Sequence, residues 1–236
     1  KDVIFVVPSL WMASRLQQSA LLRTYDVRVI PNPIDFSIFQ PRPSSKLASE
    51  LNIQAEDLVV LFGAVAGRNN VIKGFDLLES ALQGLSNMKD VAPRVKLVCF
   101  GGDVGETELY GFPVISVGKI SDEIHLAELY SLATVTVVPS RKESFGQVAA
   151  ESISCGTPVV AFDTSGLRDI LEHEQSGYLA CEYDPMDLLK GICWVLTLTY
   201  DQYAEVASTG MKANKENFSP KIVADSYLDV YREIWK

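Results

Sequence analysis

Two glutamates eight residues apart, Glu143 and Glu151, mark the segment of this sequence best suited to chemistry. Apolar residues recur at helical spacing beyond them, so a helix is predicted to begin near Gly146 or Gln147, shortly after a predicted strand. The free amides at the start of such a helix favour an anion. Glu151 would lie inside the helix among small and apolar residues, where an unpaired carboxylate is costly and two hydroxyls of a ribose would satisfy it. Glu143, in the preceding loop, could accept hydroxyls of a second sugar.

A second candidate segment runs from Gly63 to Phe75 and follows another predicted strand. Its glycines would let a ligand approach the backbone. Lys73 stands at the predicted start of a helix, where the helix dipole disfavours a cation. A bound phosphate would remove that conflict, and Arg68 could add a forked contact. A solvated basic turn is the alternative, and the absence of Gly-Lys-Ser/Thr argues against a P-loop.

A third, weaker candidate is the loop Gly118-Lys119-Ile120 after a further predicted strand. Backbone groups of Lys119 and Ile120 could meet the edge of a nucleobase while the Ile120 side chain packs on its face. Any loop from a strand to a helix has a similar composition, so an ordinary connection is the alternative. Ser121 is predicted to cap the helix that follows.

Composition excludes several classes of protein. A net charge of −9 and a pI near 4.8 disfavour a nucleic-acid binder. No apolar run approaches the ~20 residues of a membrane span. With no Asp-X-Asp sequence and only His125 and His173, we expect no metal site and no cofactor. The four cysteines show no CxxC spacing, so we expect reduced thiols and a cytoplasmic protein. The chain begins without a methionine or a signal-peptide cleavage site and is interpreted as a piece or a processed product.

Short runs that are apolar on both faces alternate with helical patterns along the chain. This alternation predicts an α/β fold, a Rossmann-like doubly wound parallel sheet with its site at the carboxyl ends of the strands. The predicted strands are Val27–Ile30, Leu58–Gly63, Val95–Phe100, Pro113–Val117, Thr134–Val138 and Pro158–Phe162. The predicted helices are Ser9–Leu22, Lys73–Leu85, Ser121–Leu132, Gln147–Cys155, Leu167–Leu171, Pro185–Leu196, Tyr200–Asn217 and Ser219–Trp235.

Together these motifs resemble the C-terminal domain of GT-B glycosyltransferases of family 4, which are retaining enzymes that use nucleotide sugars. Glu143 and Glu151 match the family's Glu-x7-Glu signature, and the resemblance is most specific over residues 139–160. Four other features follow in family order: Pro31-Asn32 with Asp35, Lys73-Gly74, Val117-Gly118 and the terminal helix Tyr227–Trp235. Two positions depart from the pattern. Asn32-Pro33 replaces the usual Asn-Gly, and Gly63-Ala64 replaces the usual Gly-Arg, so the phosphate arginine is either Arg68 or missing.

The resemblance implies roles for the matching residues. Lys73 and an arginine near it would bind the diphosphate and stabilise the leaving group, and Glu151 would bind the ribose. Glu143 would hold the donor sugar without acting as a nucleophile. The catalytic set is then Glu143, Lys73 and Arg68. The donor-binding set is Gly63, Lys73, Gly118, Lys119, Ile120, Glu143, Ser144, Phe145, Gly146, Gln147, Val148 and Glu151.

The implied activity is metal-independent transfer of a hexose, from a UDP-sugar rather than a GDP-sugar, to a hydroxyl of a saccharide or lipid-linked acceptor. Residues 1–236 would form one nucleotide-sugar-binding domain, and helix 219–236 would pack toward an N-terminal domain that supplies the acceptor site. A role in polysaccharide biosynthesis at the inner face of the membrane is expected. Two rival functions are a nucleotide-sugar epimerase on the same fold and a non-catalytic nucleotide-sugar-binding module.

Overall fold

The centre of the molecule is a seven-stranded sheet that is parallel except at one edge. We describe it from a computed structural model, which covers residues 3–63, 70–102 and 105–235. The strands are β1 Ile4–Val7, β2 Asp26–Val29, β3 Leu58–Gly63, β4 Val95–Phe100, β5 Glu108–Leu109, β6 Phe112–Ser116, β7 Val135–Val138, β8 Val159–Phe162 and β9 Gly177–Ala180. The first two form a separate parallel pair.

The helices cover the sheet and extend beyond it. They are α1 Leu10–Gln18, α2 Ser45–Glu50, α3 Phe75–Leu85, α4 Glu123–Leu132, α5 Gln147–Ser154, α6 Pro185–Leu196, α7 Tyr200–Phe218 and α8 Pro220–Ile234. Short 3₁₀ helices span Val71–Lys73, Ala92–Arg94 and Ser165–Asp169. Within the described residues, no helix is both long and apolar enough to span a bilayer.

The strand order is β5-β6-β4-β3-β7-β8-β9. From the central strand β3 the chain winds outward in one direction through β4 and β6. It then returns to pair β7 with the other side of β3, where Val60 lies opposite Val135. This order confirms the predicted doubly wound fold. The reversal of direction opens a crevice between the carboxyl ends of β3 and β7, which is where ligands bind in such sheets.

Alternating side chains of β3 show why the sheet needs cover on both faces. Val60 and Phe62 pack into one core cluster with residues of α3 and α6. Val59 and Leu61 pack into another with residues of α4 and α5. All four side chains are almost fully buried, as expected of a parallel strand between two layers of helices.

Several predicted boundaries were wrong, each for a local reason. The helix predicted from Ser121 begins at Glu123, because the Asp122 carboxylate, and not Ser121, accepts from the amides of the first turn. The helix predicted for residues 167–171 is the 3₁₀ helix Ser165–Asp169. Lys73 belongs to the 3₁₀ turn before α3 and not to α3 itself.

Four elements lie outside the predicted set. Strands β1, β5 and β9 and helix α2 are two to six residues long. The pair β1–β2 packs on α8 through Ile4, Val6 and Ile30, so its partners are distant in the sequence. None of the four cysteines, all of them in the described part of the chain, forms a disulfide, which agrees with the prediction of thiols.

Candidate functional site

An ion pair crosses the crevice between β3 and β7. Lys73, at the end of the 3₁₀ turn after β3, places its Nζ 2.6 Å from Oε1 of Glu143 in the loop after β7. The two side chains are 34% and 18% exposed. Lys73 was expected to need an anion because it would begin a helix. It lies before the helix instead, and Glu143 already supplies the negative charge.

The two loops meet because glycine stands at residue 74. Gly74 adopts a left-handed conformation, with φ of 67°, and a Cβ built on it would overlap the carbonyl oxygen of Pro139. No other residue type fits both the conformation and the space. The backbone approach fixes the start of α3 against the end of β7 and brings Lys73 within reach of Glu143.

Three neutral groups fix the loop that carries Glu143. The Ser140 hydroxyl donates to Oε1 of Glu143 at 2.8 Å. The Glu143 amide donates to Oγ of Ser165 at 2.9 Å, and its carbonyl accepts from the Gly166 amide at 3.0 Å. The 3₁₀ helix after β8 therefore holds the backbone of Glu143, while Lys73 and Ser140 hold its side chain.

Helix α5 presents its N-terminus beside this loop. Its N-cap is Gly146, which has no side chain with which to cap the helix. The amides of Gln147 and Val148 open the first turn, where the helix dipole favours an anion. Phe145 faces the other way: its ring is buried and meets Phe218 edge-on at 5.3 Å. Phe145 can therefore offer a ligand only its backbone.

Glu151 lies one turn further along α5, in a very different environment. It is 8% exposed, and its two carboxylate oxygens accept from the side-chain amide of Gln147 at 2.9 Å and the Tyr130 hydroxyl at 3.1 Å. Burial raises the pKa of Glu151 above its ordinary value, and the two hydrogen bonds only partly offset this rise. Glu123 raises this pKa further through its charge. The side-chain oxygen of Gln147 accepts in turn from the side-chain amide of Asn32 at 3.5 Å.

The loop predicted to meet a nucleobase lies after β6. The carbonyl of Gly118 accepts from the Gly101 amide at 2.8 Å, so this loop is tied to the end of β4. Lys119 is exposed and Ile120 half-buried, and both line a shallow depression with Asp122, His125 and Glu128. Helix α4 follows this loop directly, and Tyr130 near its C-terminal end donates to Glu151.

The structure brings some of the predicted residues together. A small cleft at the crevice is lined by Gly63, Lys73, Glu143 and Val148 together with Phe100 and Ser140. Lys119 and Ile120 line a separate depression. Arg68 falls outside the described residues. Across residues 3–63, 70–102 and 105–235, no group of three or more His, Cys, Asp or Glu side chains is arranged to hold a metal ion.

Four residues that shape the site were missed from the sequence: Tyr130, Ser140, Arg141 and Ser165. Ser140 stands three residues before Glu143, a spacing that signals a local side-chain contact. Ser165 has φ of 50° and accepts from the Glu143 amide, a contact between residues 22 positions apart that no local pattern signals. Tyr130 and Arg141 gave no signal, because their partners Glu151 and Asp76 are distant in the sequence.

Comparison with known proteins identifies the family to which this sequence is similar. Residues 56–197 match the family model described as Glycosyl transferases group 1. A D-inositol 3-phosphate glycosyltransferase from Acidothermus cellulolyticus is 35% identical over 173 residues, which cover 67% of this chain and 38% of the relative. This chain spans 38%, 50% and 59% of the lengths of three curated relatives that it matches.

Two solved structures show the same fold. Sucrose-phosphate synthase from Thermosynechococcus elongatus has a TM-score of 0.81 at 26% identity, over 98% of this chain and 58% of that one. HepE from Anabaena, solved with UDP-glucose, has a TM-score of 0.77 at 22% identity, over 97% of this chain and 63% of that one. The fold is that of the C-terminal domain of GT-B glycosyltransferases. Since the family model matches more than half of its length, this chain belongs to the group 1 glycosyl transferases.

Proposed function

We propose that this chain is the donor-binding domain of a retaining hexosyltransferase whose donor is a UDP-sugar. The observation that carries the proposal is the ion pair between Lys73 and Glu143 at the crevice, beside the N-terminus of α5. A cation, a carboxylate and free amides at one point suit a diphosphate joined to a sugar. HepE, which has the same fold, was solved with UDP, with UDP and glucose, and with UDP-glucose.

Each residue has a role in this proposal. Lys73 and the amides of Gln147 and Val148 bind the diphosphate and stabilise the charge that develops on it as the sugar leaves. Arg68 is proposed as a second cation. Glu151 binds the ribose hydroxyls with the oxygen lone pairs that Tyr130 and Gln147 leave available.

Glu143 positions the sugar and does not attack it. Its Oε1 already accepts from Lys73 and Ser140, so it is suited to accept hydroxyls and poorly suited to form a bond with carbon. In the reaction the bond from the anomeric carbon to the diphosphate breaks, and a bond to the acceptor oxygen forms. The acceptor hydroxyl gives its proton to the departing diphosphate oxygen, and we propose that the transfer needs no metal.

The acceptor, proposed to be a saccharide or a lipid-linked sugar, would bind to a second domain that precedes this one. Residues 1–236 form the donor domain in this proposal. The face of α8 offers a surface for the other domain, with Tyr227, Leu228, Tyr231 and Ile234 all exposed. That the chain spans only part of its relatives supports a two-domain enzyme. We place this enzyme in the cytoplasm, at the inner face of the membrane.

Thermal unfolding in the presence of nucleotides tests the donor assignment. UDP should raise the melting temperature, since a ligand at about 100 times its Kd stabilises a protein by about 2.7 kcal/mol. Glu151→Ala should abolish the increase. Glu205→Ala, an exposed position on α7, is the matched control and should keep it. The proposal is wrong if millimolar UDP and GDP both leave the wild-type melting temperature unchanged.

The stereochemistry is tested on the enzyme that contains both domains. The product of a UDP-hexose and an acceptor should keep the anomeric configuration of the donor, as read from the coupling constant of the anomeric proton. Inversion would contradict retention, while change of the sugar without an acceptor would favour the epimerase.

A further inference from the structure

We infer that Arg141 is a positioning residue for the proposed reaction, and that it sets affinity for the second phosphate of the donor by holding the Lys73 turn against the Glu143 loop. This inference rests on the proposed function. It concerns a residue that contacts neither the sugar nor the phosphates.

Arg141 joins the two loops by four hydrogen bonds. Its guanidinium makes a fork with the Asp76 carboxylate, with distances of 2.8 and 2.6 Å. The same guanidinium donates to the carbonyl of Val71 at 2.7 Å, and the Arg141 amide donates to the carbonyl of Ile72 at 2.8 Å. Arg141 therefore binds the peptide groups just before Lys73 and the first turn of α3 just after it.

The turn that carries Lys73 depends on such support. It is a 3₁₀ helix of three residues, a length that is weakly stable alone. Val71 is 68% exposed and Ile72 is 55% exposed, so burial in the core contributes little to holding them. Two contacts anchor the turn. On the C-terminal side of Lys73, Gly74 packs closely against Pro139. On its N-terminal side, Arg141 donates hydrogen bonds to the carbonyls of Val71 and Ile72.

The guanidinium of Arg141 is occupied by its hydrogen bonds to Asp76 and Val71 and does not serve as a phosphate-binding arginine. A bidentate arginine–carboxylate pair fixes both the position and the plane of the guanidinium. The side chain is 25% exposed. The hydrogen bond to Asp76 raises the pKa of Arg141 and lowers that of Asp76, so the pair keeps both charges near neutral pH.

A third loop, after β9, holds the backbone of Arg141. The Tyr183 hydroxyl, from the loop after β9, donates to the Arg141 carbonyl at 3.1 Å. The Tyr183 ring in turn packs edge-on against Phe162 at 6.1 Å. The loop after β9 thus holds the Arg141 carbonyl, while the Arg141 side chain reaches across the crevice to α3.

Titration calorimetry of this chain with UDP and with UMP separates positioning from general stability. Since UMP lacks the second phosphate, the UDP-to-UMP affinity ratio reports the contribution of Lys73. In Arg141→Ala we expect about tenfold weaker UDP binding and UMP binding within about twofold of wild type. Arg141→Lys, which keeps the charge but loses the fork, should fall between. Arg28→Ala is the control: it breaks another long-range ion pair, with Glu233, and should change the affinity for neither UDP nor UMP.

Asp76→Asn distinguishes positioning from simple electrostatics. It removes a negative charge near the phosphate, so electrostatics alone predicts tighter UDP binding. Loss of the charged fork between Arg141 and Asp76 predicts weaker UDP binding, as in Arg141→Ala. Tighter binding in Asp76→Asn would overturn the inference.

Hydrogen exchange of the unliganded variants completes the test. We expect faster exchange of the amides of residues 73–78 in Arg141→Ala than in wild type. Faster exchange with an unchanged UDP-to-UMP ratio would show a merely structural role and overturn the inference. If the wild-type chain binds neither nucleotide, the proposed function fails first and the inference with it. If Lys73→Ala weakens UDP binding and Arg141→Ala does not, only the inference fails.

Discussion

The loop before α5 and the helix itself each carry one glutamate, and the two carboxylates are held in opposite ways. Glu143, in the loop, has a charged partner from across the crevice and keeps part of its surface in water. Glu151, in the helix, is buried, and its two partners, Tyr130 and Gln147, are neutral. A partner such as Lys73 can turn toward a new anion, whereas neutral partners fix the carboxylate in place.

The difference assigns different tasks to identical side chains. An ion pair near solvent contributes only about 0–1 kcal/mol, so it can open when a ligand arrives. A buried carboxylate has a large desolvation cost, which hydrogen bonds from fixed donors in the protein must offset. In the proposed reaction the Glu143 loop would adapt to the donor, while the Glu151 helix would present a preformed hydrogen-bond acceptor.

The largest expected effect comes from separating the two loops at Gly74. Gly74→Ala would strain the left-handed backbone at this residue and would place the new Cβ against the carbonyl oxygen of Pro139. Together these effects should reduce the free energy of unfolding by about 3 kcal/mol. Gly111→Ala is the control, because Gly111 also has a positive φ, of 84°, but nothing lies within 4 Å of the added Cβ. It should cost about 1 kcal/mol. Urea denaturation measures both, and equal losses would show that contact with Pro139 is unimportant.

The second effect tests the burial of Glu151 through pH. Its folded pKa is raised above the ordinary value of 4.5. The folded protein therefore binds this proton more tightly than the unfolded chain does. The stability that results is complete below pH 4.5 and is lost as the pH rises through the folded pKa, with a slope approaching about 1.4 kcal/mol per pH unit.

Glu151→Gln cannot ionise and should lack this dependence. The stability of wild type relative to Glu151→Gln should therefore fall as the pH rises from 4.5, as measured by urea denaturation at successive pH values. The other groups that face this carboxylate, Glu123, Tyr130 and Cys155, are the same in both proteins. Parallel stability curves would contradict the raised pKa.

The smallest effect concerns Glu143 and differs in size between two ligands. Glu143→Gln releases Lys73 from its ion pair, so UDP should bind about threefold more tightly, in keeping with the small free energy of a partly exposed pair. A UDP-sugar should gain less than UDP does, because the charged acceptor for its hydroxyls is lost. Calorimetry with UDP and UDP-glucose measures both, and weaker binding of UDP would refute the adaptable pair.

The sequence predicted best where local pattern and tertiary packing agree. Strands β3 and β4 have their predicted bounds, because a run such as Leu58–Gly63 is apolar on both faces and has no other stable environment. Helix α5 begins at Gln147, as the spacing of its apolar residues indicated. The order of these elements was enough to place Lys73 and Glu143 at one edge of the sheet.

The rest depends on contacts that no local pattern encodes. Strand β9 begins with a glycine and is only four residues long, and it becomes a strand because β8 offers it an open edge. The pairing of Lys73 with Glu143 spans 70 residues, so the argument from the helix dipole could not anticipate this partner. The contact of Arg141 with Asp76 spans 65 residues and likewise has no local signal.

The central position of β3 has a consequence for how the site comes into being. Val60 pairs with Val135, and pairing strands so far apart in the sequence is slow because closing the long loop between them costs entropy. Lys73 and Glu143 lie on opposite sides of this closure and meet only after it is complete. A nucleotide that requires both would recognise the assembled sheet and no earlier intermediate. It would then lengthen the lifetime of the folded state without accelerating its formation.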